Sequence, residues 1–195
     1  MTDLLAELFS SKVRAAVLGM VLPRPHRWFS LTELSRSLGL PVSSLQHECY
    51  KLVRVGLLHD QRSGNVRRYS PDPAFSLLKP LTALVLASIP LAESLPAAAE
   101  EMAELEQGWL TREPTARHAR PFLVVIGNLG IEDLDALFER ARVAVAAAGT
   151  GDIELAYYPS TEWARRLASH DPFVISLQAE VAVTLQTRAV PAEAG

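Results

Sequence analysis

The stretch that decides the fold of the first half of the chain runs from residue 31 to residue 70. It reads LTELSRSLGLPVSSLQHECYKLVRVGLLHDQRSGNVRRYS. Its first three leucines recur at intervals of four residues or fewer, so they predict one face of an amphipathic helix. Ser30 precedes this helix and Glu33 follows three residues later, which is a capping-box pattern. Gly39 suits the left-handed turn that ends such a helix.

A second amphipathic helix is predicted directly after Gly39. Pro41 is tolerated at a helix start, and Ser43 or Ser44 is expected to cap the helix. The apolar stripe of this helix holds Leu45, Cys49, Leu52 and Val53. The opposite face holds side chains that can reach base edges or phosphates. These are Ser43, Ser44, Gln46, His47, Tyr50, Lys51 and Arg54.

A short basic hairpin is predicted after the second helix, which ends at Gly56. Its two strands begin at Leu57 and at Val66, and a turn rich in Ser, Gly and Asn joins them. The candidate DNA-contacting residues of this hairpin are Arg62, Asn65, Arg67 and Arg68. Two helices followed by a basic hairpin are the layout of a winged helix-turn-helix. A generic helical hairpin with a solvated face is the alternative, and the basic hairpin favours DNA binding.

The charge distribution also favours a polyanionic partner for the first part of the chain. Residues 1–80 hold 11 basic and 6 acidic residues, a net charge of +5, although the whole chain has a net charge of −3. Residues 81–195 hold 8 basic and 16 acidic residues, a net charge of −8. A basic part joined to an acidic part indicates that only the first part contacts DNA.

Length and composition limit the remaining classes of protein. The 195 residues are enough for one large domain or two small ones, and 49% of them are hydrophobic. The single cysteine excludes an internal disulfide framework and disfavours a cysteine-based zinc site. The apolar stretch from Leu77 to Pro96 is interrupted by charged residues and prolines, so no membrane span is expected. The first residues lack the pattern of a signal peptide, which predicts a cytoplasmic protein.

The winged helix-turn-helix is predicted to occupy residues 1–73, with one leading helix or two in sequence before the motif. Residues 74–107 are predicted to be a helical linker, which either packs on its own domain or serves as a dimerisation helix. A homodimer is expected because a two-fold protein matches two DNA half-sites. Residues 108–187 are predicted to be a small α/β domain, and residues 188–195 a loose tail. The fold class is therefore α+β.

The α/β character of the third segment follows from its alternating patterns. Residues 108–120 are polar and are expected to be irregular. Strands are predicted at 122–126, 153–158 and 181–185, and a long helix at 131–148. Ser160 is expected to cap a helix that continues through residue 167, and Asp171 with Pro172 is expected to start a short helix.

The first half of the chain resembles ArsR-type winged-helix transcriptional regulators. The resemblance rests on residues 31–40 and on the wing residues 62–69. The second half resembles the small nucleotidyltransferase domain that some such regulators carry, on residues 123–127, 157–160 and 171–173. The resemblance implies a DNA-binding regulator with a nucleotidyltransferase-like scaffold at its C-terminal side.

The residues that nucleotidyltransferase chemistry requires are replaced in this sequence. The family holds a phosphate with a Gly-Ser pair at a helix start and Mg²⁺ with two aspartates two residues apart. Gly108 is followed here by Trp109, and the aspartate positions hold Arg120 and Phe122. A cation and an aromatic ring cannot replace carboxylate ligands. An anionic effector could still be held near Arg120 or Arg117 by charge.

Other catalytic or cofactor sites receive little support from the sequence. The five histidines are scattered without ligand spacing. The turn from Gly127 to Gly130 lacks both common phosphate-loop patterns and is interpreted as an ordinary strand-to-helix turn. Cys49 lies on the inward stripe and is interpreted as a buried structural thiol rather than a redox sensor. No cofactor and no metal site are expected.

Three functions follow from these patterns. The leading hypothesis is a sequence-specific DNA-binding transcriptional regulator that is not an enzyme. Its inactive nucleotidyltransferase-like domain would mediate dimerisation, bind a small-molecule effector or contact a protein partner. The alternative is an active, toxin-like nucleotidyltransferase with a DNA-binding arm, and the missing carboxylates argue against it. A protein-interaction adaptor is the third hypothesis, and the basic wing argues against that one.

Overall fold

The structure is a computed structural model that describes residues 2–100, 102–112 and 120–187. It is a mixed α+β protein with two compact units, Met1–Ile89 and Pro90–Gly195. Each unit contains its own β-sheet, one of three strands and one of four. The break falls between Ile89 and Pro90, where proline ends the continuity of helical hydrogen bonding.

The described residues of the first unit form five helices and a small antiparallel sheet. Its elements are α1 (Thr2–Leu8), α2 (Lys12–Val21), β1 (Phe29–Ser30), α3 (Leu31–Leu38), α4 (Val42–Arg54), β2 (Leu58–Ser63), β3 (Val66–Pro71) and α5 (Leu78–Ala87). The strand order is β1-β3-β2. Two helices joined by a tight turn are followed by a two-stranded hairpin, which is the order of elements that the sequence predicted.

The core of the first unit is formed by the apolar stripes that the sequence predicted. Leu34 of α3 and Leu45 and Cys49 of α4 are fully buried. Phe29 of β1 and Tyr69 of β3 lie side by side in the sheet and are buried in the same cluster. Because these side chains come from helices and strands alike, their burial fixes the hairpin against the helix pair.

Helix α3 begins and ends as predicted, but its capping box is incomplete. The Ser30 hydroxyl accepts a hydrogen bond from the Glu33 backbone N–H at 3.2 Å, and Gly39 is left-handed with φ of 66°. Glu33, however, binds the Arg27 guanidinium at 2.6 Å. A charged donor makes a stronger hydrogen bond to a carboxylate than a backbone N–H does, which accounts for this difference.

Helix α4 begins at Val42, at least two residues earlier than a serine cap would allow. Its N-cap residue is Pro41, in an extended conformation, and no side chain caps the helix. The prediction that Ser43 or Ser44 caps α4 is therefore wrong. Both serines lie inside the helix, where Ser43 is exposed and Ser44 half-buried.

The second unit is a four-stranded mixed sheet with helices. Its elements are α6 (Leu91–Ala99), β4 (Leu105–Thr111), β5 (Phe122–Gly127), α7 (Ile131–Ala147), β6 (Glu154–Tyr158), α8 (Ser160–Ala168), α9 (Pro172–Ala179) and β7 (Val181–Thr187). The strand order is β6-β5-β4-β7. Strands β5 and β6 are parallel, and β4 is antiparallel to both β5 and β7.

The predicted helical linker at 74–107 is wrong in its second part. Helix α5 lies in the first unit, α6 ends at Ala99, and β4 begins at Leu105. The predicted irregular segment is likewise wrong for residues 108–111, which belong to β4. Strand β4 is central in the sheet, so its hydrogen bonds to β5 and β7 outweigh the helical preference of the residues before it. Residues 113–119 lie outside the described part of the chain.

The other predicted elements of the second unit are confirmed, apart from one cap. Asp171 caps α9, because its carboxylate accepts a hydrogen bond from the Phe173 N–H at 2.9 Å. Ser160 does not cap α8, whose N-cap residue is Pro159. The Ser160 hydroxyl instead donates to the Glu106 carboxylate at 2.6 Å, which ties α8 to β4. The predicted loose tail lies outside the described residues.

Candidate nucleic-acid interface

The polar face of α4 is open to solvent along its length. Gln46 and His47 are exposed in its second turn, and Lys51 and Arg54 are exposed in its last turns. Tyr50 is 57% exposed, which is high for an aromatic residue inside a helix. Apart from the half-buried Ser44, the predicted residues of α4 therefore lie on one exposed face that carries hydrogen-bonding and cationic groups.

An ion pair that the sequence reading missed anchors this helix. Glu48 of α4 is buried, and its carboxylate binds the Arg14 guanidinium of α2 at 2.6 Å. The other carboxylate oxygen lies 3.8 Å from Lys51 Nζ. The sequence signal for this ion pair was an acidic residue directly before the inward-facing Cys49. A carboxylate that is buried beside such a residue needs a cationic partner.

The hairpin after α4 is a regular wing. Strands β2 and β3 pair in register from Leu58 opposite Pro71 to Ser63 opposite Val66. A two-residue turn joins them, with Gly64 at φ of 61°, as such hairpin turns require. Arg62, Asn65 and Arg68 are exposed on the wing.

The wing arginines do not share one face. Arg62 lies opposite Arg67, and Asp60 lies opposite the buried Tyr69. Since cross-strand partners point to the same face and side chains alternate along a strand, these four share the face of Tyr69. Arg68 lies opposite Gln61 and so points to the other face. The sequence predicted a single cluster of arginines, whereas the pleat separates Arg68 from Arg62 and Arg67.

Arg67 is held by a partner on the neighbouring strand. Its Nε donates to the Asp60 carboxylate at 2.6 Å, and its guanidinium lies 5.8 Å from the ring centroid of Tyr69. The hydrogen bond from Arg67 lowers the pKa of Asp60, and the same bond raises the pKa of Arg67. Both groups therefore stay charged at neutral pH. Arg67 is pre-oriented on the wing, and part of its charge is compensated.

Cys49 is a buried thiol within α4. Its side chain is fully enclosed among the apolar residues of the first unit. Burial, and to a lesser degree the neighbouring Glu48 carboxylate, raises the pKa of Cys49 to about 12. The thiolate, which is the reactive form, is therefore scarce at neutral pH. These observations support the structural interpretation of this residue.

The residues compared with nucleotidyltransferase motifs are arranged differently from what that chemistry needs. Gly108 and Trp109 lie within β4, not at a helix start. The Trp109 indole N–H donates to the Leu177 carbonyl at 2.9 Å in a buried aromatic cluster. Arg120 pairs with Asp152 at 3.2 Å, and Phe122 packs edge-on against Phe173. These contacts build an apolar core with an ion pair at its rim.

The described residues contain neither a candidate metal cluster nor a candidate membrane-spanning helix. No three His, Cys, Asp or Glu side chains come together there in a way that could hold a metal ion. No helix within those residues has the length and apolar character that crossing a membrane requires. Arg117, a predicted anion contact, lies outside the described residues.

Comparisons with known proteins give limited similarity. No protein family matches the chain, and no curated protein matches it. Reduced HlyU from Vibrio cholerae is 22% identical to this chain, with a TM-score of 0.32. The match covers 42% of this chain and 77% of the HlyU chain. A possible transcriptional regulator from Methanosarcina mazei is 22% identical to this chain, with a TM-score of 0.34. The match covers 52% of this chain and 87% of the chain of that regulator. These values carry no argument, so the functional conclusion rests on the geometry of the chain.

Proposed function

We propose that the protein is a sequence-specific DNA-binding transcriptional regulator and not an enzyme. The observation that carries the proposal is the exposed polar face of α4, which is followed directly by the basic wing β2–β3 within one compact unit. A helix fits the major groove of B-DNA, and a hairpin beside it can lie along the phosphate backbone. The net charge of +5 over residues 1–80 supports the same partner.

The positions along α4 suggest how the contacts are divided. Recognition helices usually present their N-terminal residues to the bases. Ser43, Gln46 and His47 are therefore proposed to read base edges, with Ser44 and Tyr50 at the margins of the contact. Lys51 and Arg54 lie nearer the C-terminal end and are proposed to bind phosphates. The wing residues Arg62, Asn65, Arg67 and Arg68 are proposed to bind the backbone beside the groove.

The regulator is proposed to act as a homodimer. Exposed leucines on two helices of the first unit support this proposal, since large apolar side chains that stay in water are candidates for burial by a partner. Leu77 and Leu84 are seven residues apart at α5 and are 55% and 41% exposed. Leu4 and Leu8 of α1 are exposed as well. A two-fold dimer would present two α4 helices to successive half-sites.

The second unit is proposed to be a nucleotidyltransferase-like domain without catalytic activity. Its role would be dimerisation, effector binding or contact with a protein partner. Its apolar core and the replacement of the expected carboxylates by Arg120 and Phe122 support the absence of catalysis. The strand position of Gly108 and Trp109 supports it too, because a phosphate-binding turn cannot form inside a central strand.

Selection of bound duplexes from a random DNA pool, followed by sequencing, tests the proposed function. The full-length protein should enrich a motif with two related half-sites about one helical turn apart. Its affinity for that motif should fall steeply with salt concentration. Failure to enrich any motif, together with salt-independent or absent binding, would refute the proposal.

A further inference from the structure

One cluster of charged side chains lies at the flank of the exposed face of α4. It consists of Arg14 from α2 and Glu48 and Lys51 from α4. Two cations share one carboxylate, so the cluster has a net charge of +1. The carboxylate is buried, whereas the side chains of Arg14 and Lys51 are 34% and 50% exposed. An anion that approaches from solvent therefore meets the cations before the carboxylate.

Arg14 is fixed in a way that leaves part of its guanidinium available. Its Nε donates to Glu48 Oε1 at 2.6 Å. Within the described part of the chain, its two terminal nitrogens make no hydrogen bond. They are also not among the nitrogens that are buried there without a hydrogen-bond partner. A guanidinium that is anchored through Nε keeps two amino groups in a known orientation, and that fork matches the oxygens of a phosphate.

The position of the cluster relates it to the proposed DNA contact. Glu48 and Lys51 are three residues apart, so they lie on the same side of α4 and about one turn from each other. Lys51 is already proposed to bind a phosphate. Arg14 reaches the same side from α2, so the sequence of α4 alone does not indicate this contact.

We propose that Arg14 and Lys51 form a binding site for one backbone phosphate of DNA, with Glu48 as the positioning residue. The inference rests on the proposed function and adds a contact from α2 to it. Glu48 does not touch the DNA in this arrangement. It orients the Arg14 guanidinium and links it to α4, so that the phosphate contact also fixes the helix at the groove.

The test replaces the buried pair without leaving a lone buried charge. The double variant Arg14→Met/Glu48→Leu keeps the apolar volume, and such replacements are often neutral for folding. Lys12→Met is the matched control, because Lys12 is an exposed cation on the same helix, two residues away and so on a different face. Thermal unfolding of both variants checks that each is folded.

The measurement is the salt dependence of binding to the duplex recovered by selection. The double variant should lower the slope of log affinity against log salt, with unchanged base preference. The decrease should be part of the roughly 0.9 that one phosphate contact contributes, because Lys51 still meets the phosphate. Lys12→Met should change the slope by less than half as much. Equal slopes for the double variant and the wild type would overturn the phosphate site.

Neutral phosphates in the DNA provide a direct readout that a purely structural role would not move. Single methylphosphonate substitutions along the duplex remove one charge at a time. At one position the wild type should lose more affinity than the Arg14→Met/Glu48→Leu variant, in which only Lys51 still meets that phosphate. Equal losses for both proteins at every position would overturn the site. If the double variant does not fold, Lys51→Met is scanned in its place, and the same equality would overturn the site.

The outcome also separates this site from the proposed function. If the wild-type protein binds the selected duplex with a steep salt slope and the double variant behaves like it, DNA binding stays in place and the Arg14 site is removed. A wild-type protein that binds no duplex at any salt concentration would overturn the proposed function and the phosphate site together.

Discussion

Arg67 is the wing residue whose replacement should change DNA binding most clearly. It lies on the wing face that also holds Asp60 and the buried Tyr69, whereas Arg68 lies on the opposite face. The hydrogen bond from Arg67 Nε to the Asp60 carboxylate at 2.6 Å holds the guanidinium in one orientation, so a phosphate contact costs this side chain less conformational entropy. Arg67→Ala is therefore expected to weaken binding more than Arg68→Ala.

The size of the effect follows from counterion release. One lost phosphate contact lowers the salt slope by about 0.9. Between 50 and 200 mM salt, the wild type should then lose roughly 3.5-fold more affinity than Arg67→Ala does. Changing Arg67 and Arg68 together removes at most two contacts, which corresponds to a difference of roughly 12-fold over the same range. Both changes should weaken binding to all sequences alike.

Fluorescence anisotropy with the selected duplex and with an unrelated duplex of equal length measures these slopes. Arg67→Ala leaves Asp60 without its partner, so Asp60→Asn/Arg67→Ala serves as the control that keeps the net charge unchanged. Both variants should show the same reduced slope if Arg67 contacts a phosphate. Arg142→Ala controls for loss of a cation in the second unit, since Arg142 is exposed and pairs with Glu139.

Two results would refute the reasoning. A slope for Arg67→Ala that equals the wild-type slope would show that this face of the wing does not meet the backbone. A restored slope in Asp60→Asn/Arg67→Ala would show that the effect of Arg67→Ala comes from the unpaired carboxylate and not from a lost contact.

Further predictions address the bases, the thiol, a helix cap and the second unit. Gln46→Ala should cost about 1–3 kcal/mol at one base position and relax the preference there, and an unaltered selected motif would contradict this assignment. Cys49 in the folded protein should react with a thiol reagent at pH 8 on the order of 10³-fold more slowly than after denaturation, because its pKa is raised; equal rates would contradict its burial. Ser30→Ala should lower the free energy of unfolding by about 1 kcal/mol in a denaturant titration, and no change would show that the cap does not contribute. Calorimetric titration with Mg²⁺ and nucleoside triphosphates should show no metal binding at a catalytic site, and a nucleotide-transfer assay should show no transfer. Nucleotide transfer that is abolished by Asp152→Asn would instead support an active nucleotidyltransferase.

The second unit shows where reasoning from a resemblance misplaces residues. The resemblance put Gly108 and Trp109 at a phosphate-binding helix start, but they belong to the central strand β4. Trp109 is committed to the core through its hydrogen bond to the Leu177 carbonyl. That partner lies 68 residues further along the chain, so no local pattern around Trp109 could have indicated the contact.

The sequence by itself determined the local features of the first unit. The apolar stripes of α3 and α4, the left-handed Gly39 and the turn of the wing follow from helical periodicity and from the conformational freedom of glycine. These features depend on residues within a few positions of one another, and the chain cannot easily override them. The candidate residues of α4 and the wing could be named for the same reason.

The tertiary structure alone decided which charges meet and which segments pair. The Ala- and Glu-rich segment after α6 becomes β4 at Leu105 because β5 and β7 supply hydrogen-bonding partners on both sides. Arg14 meets Glu48 because α2 packs near α4, 34 residues away in the chain. The two faces of the wing are distinguished by the burial of Tyr69 in a core built from several elements. Long-range packing selects these arrangements, since each local sequence is compatible with more than one of them.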